Sequence, residues 1–122
     1  MVKMNLTLGQ FINKLELLKP EASITFDFGL LYPDCFDSYR GYYKDLALGF
    51  TQEFNHTTAK TLLREAKSCI GRSFYGCKGG TYFMDKDTLL WVANYGISTN
   101  TAIVNVLDLD YHAVIITKYI ED

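Results

Sequence analysis

The chain has 122 residues, 48% of them hydrophobic, with nine Tyr, eight Phe and one Trp. That length fits one domain over residues 1–122 with its own core, and the apolar fraction excludes a disordered chain. Twelve basic residues against fourteen acidic ones give a net charge of −2, which excludes the polybasic footprint that a general grip on duplex nucleic acid requires.

The opening stretch, "MVKMNLTLGQFINKLELL", is broken by Asn13, Lys14 and Glu16 before it reaches the apolar length of a signal segment or a membrane span. No membrane association is expected. Thr7 followed by Gln10 is a capping-box signature, and Leu8, Phe11, Ile12, Leu15 and Leu18 recur at helical spacing until Lys19-Pro20 ends the run. "SITFDF" alternates, with Ile24, Phe26 and Phe28 on one face and Thr25 and Asp27 on the other. A long loop is expected from Gly29 to Gly41, then a second strand in "YYKDLALGF". Thr57 or Thr58 caps a second helix with Ala59, Leu62, Leu63, Ala66 and Ile70 on its apolar face, and Gly71 is its stop.

Beyond that helix come strand-like runs, "RSFYG", "GTYFM", "LLWVANY", "TAIVNVLD" and "YHAVIITKYI", separated by turn chemistry in "CKGG", "DKDT", "GISTN" and "LDLD". Strands joined by short turns pair antiparallel, so the expected fold is α+β, an antiparallel sheet with two helices packed on one face. The other face is then open to a second copy or a ligand.

Few of the reactive residue types fall into a reactive pattern. His56 and His112 lack a partner at metal-ligand spacing, and Cys35, Cys69 and Cys77 are odd in number and contain no CxxC. That cysteine usage suits a reducing cytoplasm better than a disulfide framework, and nothing calls for a cofactor or a metal. His112 reads as a strand residue with a satisfied hydrogen bond, and Cys69 as buried, with Cys35 and Cys77 in turns. "GRSFYGCKGG" approaches a P-loop, yet Cys77 intrudes before Lys78, Gly79 stands where Ser or Thr would bind magnesium, and the stretch follows a helix and enters strands. What remains is a glycine-rich hairpin whose Arg72 and Lys78 either meet a phosphate or are solvated. The Asp85/Asp87 and Asp108/Asp110 pairs fall at turns, where Asp side chains cap backbone N–H groups.

The strongest signal is "SYRGYYKDLALGF", which sets Arg40 among Tyr39, Tyr42 and Tyr43. Guanidinium binds phosphate bidentately and stacks on flat rings, and a base stacked on an aromatic ring gains roughly 1–3 kcal/mol. "WVANYG" adds Asn94, whose amide donates and accepts, beside Tyr95. The candidate ligand-binding set is therefore Tyr39, Arg40, Tyr42, Tyr43, Arg72, Lys78, Asn94 and Tyr95. A second reading pairs Arg40 with a nearby Asp and divides the tyrosines between core and surface.

Through "SYRGYYKDLALGF", "LLREAKSCIG", "CKGGTYFM" and "WVANYG", the chain resembles a family of small phage and prophage proteins, the anti-Thoeris protein one family. The similarity runs from the first helix to the last strand. It implies a non-catalytic protein of the host bacterial cytoplasm that sequesters the cyclic ADP-ribose isomer made by a bacterial TIR-domain enzyme, so that the downstream effector receives no signal. It also implies a homo-oligomer, and some members hold cyclic oligonucleotides at a second kind of site. The candidate residues above come from their chemistry and not from this resemblance. Two further readings stay open: a cyclic-nucleotide hydrolase using Asp or His, and a protein-binding inhibitor of a host defence factor.

Overall fold

The computed structural model describes residues 4–29, 31–39, 44–50, 57–75, 79–94 and 97–120. Helix α1 (Leu8–Glu16) opens on the expected capping box: the Gln10 N–H donates to Thr7 Oγ1 (3.1 Å), and the Thr7 N–H donates to the Gln10 side-chain oxygen (2.9 Å). Its Leu8, Phe11, Ile12 and Leu15 are buried, each contributing about 1.5–3 kcal/mol of apolar transfer. Helix α2 (Ala59–Cys69) is capped by Thr58, which accepts the Thr61 N–H. Gly71 follows its last turn at φ +77°, the left-handed geometry that favours glycine. The expected apolar face holds for Ala59, Leu62 and Ala66, whereas Ile70 is 47% exposed because the chain has left the helix there.

The strands are β1 (Ser23–Phe26), β2 (Pro33–Ser38), β3 (Leu46–Phe50), β4 (Ser73–Tyr75), β5 (Thr81–Phe83), β6 (Leu90–Asn94), β7 (Ile97–Asp108) and β8 (His112–Tyr119). Six of them form one sheet in the order β1-β8-β7-β6-β3-β2, and β4 and β5 form a separate hairpin. The fold is α+β, as expected, but the large sheet is mixed. β1 pairs parallel with β8 and β3 parallel with β6, while the other pairs are antiparallel. The β3–β6 pairing follows from the chain between them, which contains α2 and the β4–β5 hairpin and so supplies the long crossover that parallel neighbours need.

Two further differences concern strand limits. β2, with Cys35 in it, lies inside the stretch read as a loop, and it is an edge strand that begins at Pro33, where a missing N–H costs no ladder bond. "GISTN" is largely strand, since β7 begins at Ile97.

Along β3 and β6, Leu46, Leu48, Leu90 and Val92 join the buried faces of both helices in one core cluster. The alternate residues Ala47, Trp91 and Ala93 belong to a second cluster with Tyr39 and Ala102, and strand alternation puts it on the opposite sheet face. Thr57 ties the two edge strands together. Its carbonyl accepts the Ile24 N–H (3.0 Å) and its hydroxyl donates to the Pro33 carbonyl. Phe26 packs edge-on against Phe50 (5.5 Å) and stacks with Phe28 (4.9 Å), so Phe28 is attached to the core although 45% exposed. No helix among the described residues is long and apolar enough to cross a membrane.

Candidate functional site

β2 ends one residue before Tyr39, and β3 begins one residue after Asp45. The Tyr39 N–H donates to the Asp45 carbonyl (2.9 Å), which closes the base of the arginine–tyrosine segment. The Tyr39 ring lies parallel to Trp91, with centroids 4.7 Å apart and planes 6° apart. Register explains why both rings fit: Trp91 has Ala47 beside it on β3 and Ala102 beside it on β7, and these small side chains leave room above the sheet.

The polar tips are also committed. Trp91 Nε1–H donates to Asp45 Oδ2 (2.9 Å) and the Asn100 N–H donates to the Tyr39 hydroxyl oxygen (2.9 Å). Tyr39, Trp91 and Asp45 are only 1%, 3% and 5% exposed. A buried carboxylate is tolerated only with hydrogen bonds, and the indole donor supplies one. Tyr39 is thus a framework residue and offers no free ring face for a base. The sequence left one sheet face open to a second copy or a ligand; the structure buries Tyr39 and Trp91 against each other on one face of the sheet.

The other candidates divide into two groups. Arg40, Tyr42, Tyr43, Lys78 and Tyr95 lie outside the described residues. Asn94 is the last residue of β6, paired with Ile97, about 10 Å along the strand from Trp91. Arg72 precedes β4, and its guanidinium sits over the Phe74 ring at 4.7 Å. It is exposed, and its side chain makes no hydrogen bond or ion pair among the described residues. Phe74 belongs to the main core cluster and Tyr39 to the second, so the structure does not bring Arg72 and Tyr39 together.

The acid–base candidates are bound into local structure. The Asp87 N–H donates to Asp85 Oδ1 and the Asp110 N–H to Asp108 Oδ1, both at 2.8 Å, as the turn reading expected. Asp27 accepts both the backbone N–H and the hydroxyl of Thr117, at 2.8 and 2.7 Å. His112 Nε2 and Thr25 Oγ1 form a hydrogen-bonded pair at 3.1 Å. Burial pushes the Cys35 and Cys69 thiols up to about 11. Although Cys35 is on an exposed strand, its Sγ is tucked over Gly49, 2.9 Å from where a Cβ would stand. Among the described residues, no three His, Cys, Asp or Glu side chains gather to hold a metal ion.

Sequence reasoning missed the exposed pair Tyr75 and Phe83, 80% and 72% accessible, on the outer face of the β4–β5 hairpin. "SFYG" and "TYFM" contained both, but only the pairing register shows which rings face outward. Fold and site together describe a small α+β protein with a buried aromatic framework on one sheet face and an aromatic hairpin whose Arg72 makes no ion pair among the described residues. Comparison of the chain with protein-family models, curated proteins and solved structures gives no match.

Proposed function

We propose that this protein is a phage or prophage immune-evasion factor that binds a TIR-derived cyclic ADP-ribose isomer and sequesters it uncleaved in the bacterial cytoplasm, acting as a homo-oligomer. The observation that carries the reading is Arg72: an exposed guanidinium, ordered over an aromatic ring and engaged in no ion pair among the described residues. Stacking on Phe74 leaves the N–H edges of the guanidinium available to a phosphate. The buried Tyr39–Trp91–Asp45 unit fixes Tyr39 and Asp45, which stand on either side of Arg40–Tyr43 in the sequence. The family resemblance supplies the identity of the signal.

Sequestration demands tight binding, and nanomolar affinity corresponds to about −12 kcal/mol. Stacked rings and charge-assisted phosphate contacts in an enclosed pocket would supply that affinity. The test is a titration of a signal-dependent effector. Activation should fall linearly to a stoichiometric end point as protein is added, and return in full when the protein is heat-denatured. A time-dependent, irreversible loss of signal would instead mean hydrolysis.

A further inference from the structure

We infer that the outer face of the β4–β5 hairpin is the base-stacking surface for this ligand, with Tyr75 and Phe83 clamping its adenine; the inference rests on the nucleotide-binding reading above. The register sets Ser73 opposite Phe83 and Tyr75 opposite Thr81, so these four side chains share the outward face while Phe74 and Tyr82 face inward. Tyr75 and Phe83 occupy diagonal positions on adjacent strands, and such positions lie roughly 7–8 Å apart. Side chains on one face of a ribbon stand roughly perpendicular to it, so one planar group set between these two positions is within reach of both rings. Neither ring stacks on another described ring.

The other exposed aromatics are differently placed. Phe28 is stacked on Phe26, Tyr111 carries the Lys19 ammonium over its ring at 4.1 Å, and Tyr119 stands opposite Thr101. The hydroxyls of Ser73 and Thr81 flank the clamp and can accept from or donate to a base edge or a ribose. Beside them, Gly79 has open space where a side chain would stand. Arg72 leaves the ribbon from the opposite face, with Phe74, so a phosphate reaches it around the β4 edge.

Two rings present on the order of 300 Å², well below the roughly 800 Å² that each partner contributes to a stable protein interface. The patch matches a heterocycle.

The test compares wild type, Tyr75→Ala, Phe83→Ala and Tyr75→Phe by calorimetric titration with the cyclic ADP-ribose isomer, with ligand NMR in parallel. Both side chains are solvent-exposed, so the alanine variants should melt within a degree or two of wild type. Each alanine should weaken binding roughly 5- to 140-fold and abolish the upfield shift of the adenine protons, while Tyr75→Phe retains both. If wild type binds and both alanine variants bind equally well, the hairpin inference falls and the sequestration reading stands. If wild type itself does not bind, both fall together. A host protein captured by wild type and lost from the alanine variants, with nucleotide affinity unchanged, would also overturn it.

Discussion

Replacing Tyr39 by Phe removes one oxygen from a ring that is 1% exposed. The Asn100 N–H that donates to it, at 2.9 Å in a half-buried position, loses that partner, at a cost of about 1–2 kcal/mol. In a chain of 122 residues that lowers the melting temperature by roughly 3–8 °C. Tyr39→Ala removes the ring as well. Aromatic-to-alanine changes in a core cost about 3–5 kcal/mol, and the parallel stack on Trp91 adds to that. Differential scanning calorimetry on the three proteins checks the ladder. Ligand affinity adds a second readout: a framework residue predicts that Tyr39→Phe binds within about twofold of wild type. An unshifted melting temperature in Tyr39→Ala would refute the framework, and so would Tyr39→Phe that melts like wild type yet loses the ligand.

Trp91→Phe keeps an aromatic stack but takes the indole donor from the buried Asp45 carboxylate, so urea denaturation should show a loss of about 1.5–3 kcal/mol. Gly9→Ala would ordinarily stabilise a helix by up to about 1 kcal/mol. Here the new Cβ would lie 3.0 Å from the Lys86 carbonyl oxygen and 3.1 Å from its Cβ, and the melting temperature should fall instead of rising. The thiol shifts set a pH profile. Burial holds Cys35 and Cys69 protonated up to about 11, whereas an unfolded cysteine ionises near 8.5. Their contribution to stability is therefore complete below the unfolded value and is lost as pH rises through about 11. Alkylation of both at pH 8, followed by peptide mass mapping, should be slower in the native than in the urea-unfolded protein; equal rates would contradict the burial.

Local chemistry was legible where a few neighbouring residues decide it. Thr7 and Gln10 announced the start of α1, Gly71 the stop of α2, and the paired aspartates their turns, because each signal is satisfied within one turn of chain. Thr57 looked like a cap as good as Thr58, but it joins β1 to β2 across the fold, a role no local pattern reveals. β2 was hidden because Pro33 and Asp34 carry turn chemistry that an edge strand also tolerates. The parallel pairings depend on where a crossover lands. Of the candidate site, the chemistry of Arg72 was readable and its aromatic support at Phe74 lay close by in sequence. The burial of Tyr39 was not readable, since it depends on Trp91 and Asn100, which only the strand order brings alongside.

The proposed activity is sequestration without cleavage. The most direct measurement incubates the purified protein with lysate from cells carrying an activated TIR-domain enzyme, removes unbound small molecules, heat-denatures the protein and identifies what is released by mass spectrometry. Sequestration predicts an intact cyclic ADP-ribose isomer in stoichiometric amount. An empty eluate with the signal undiminished in the filtrate, or release of a hydrolysed product, would contradict it.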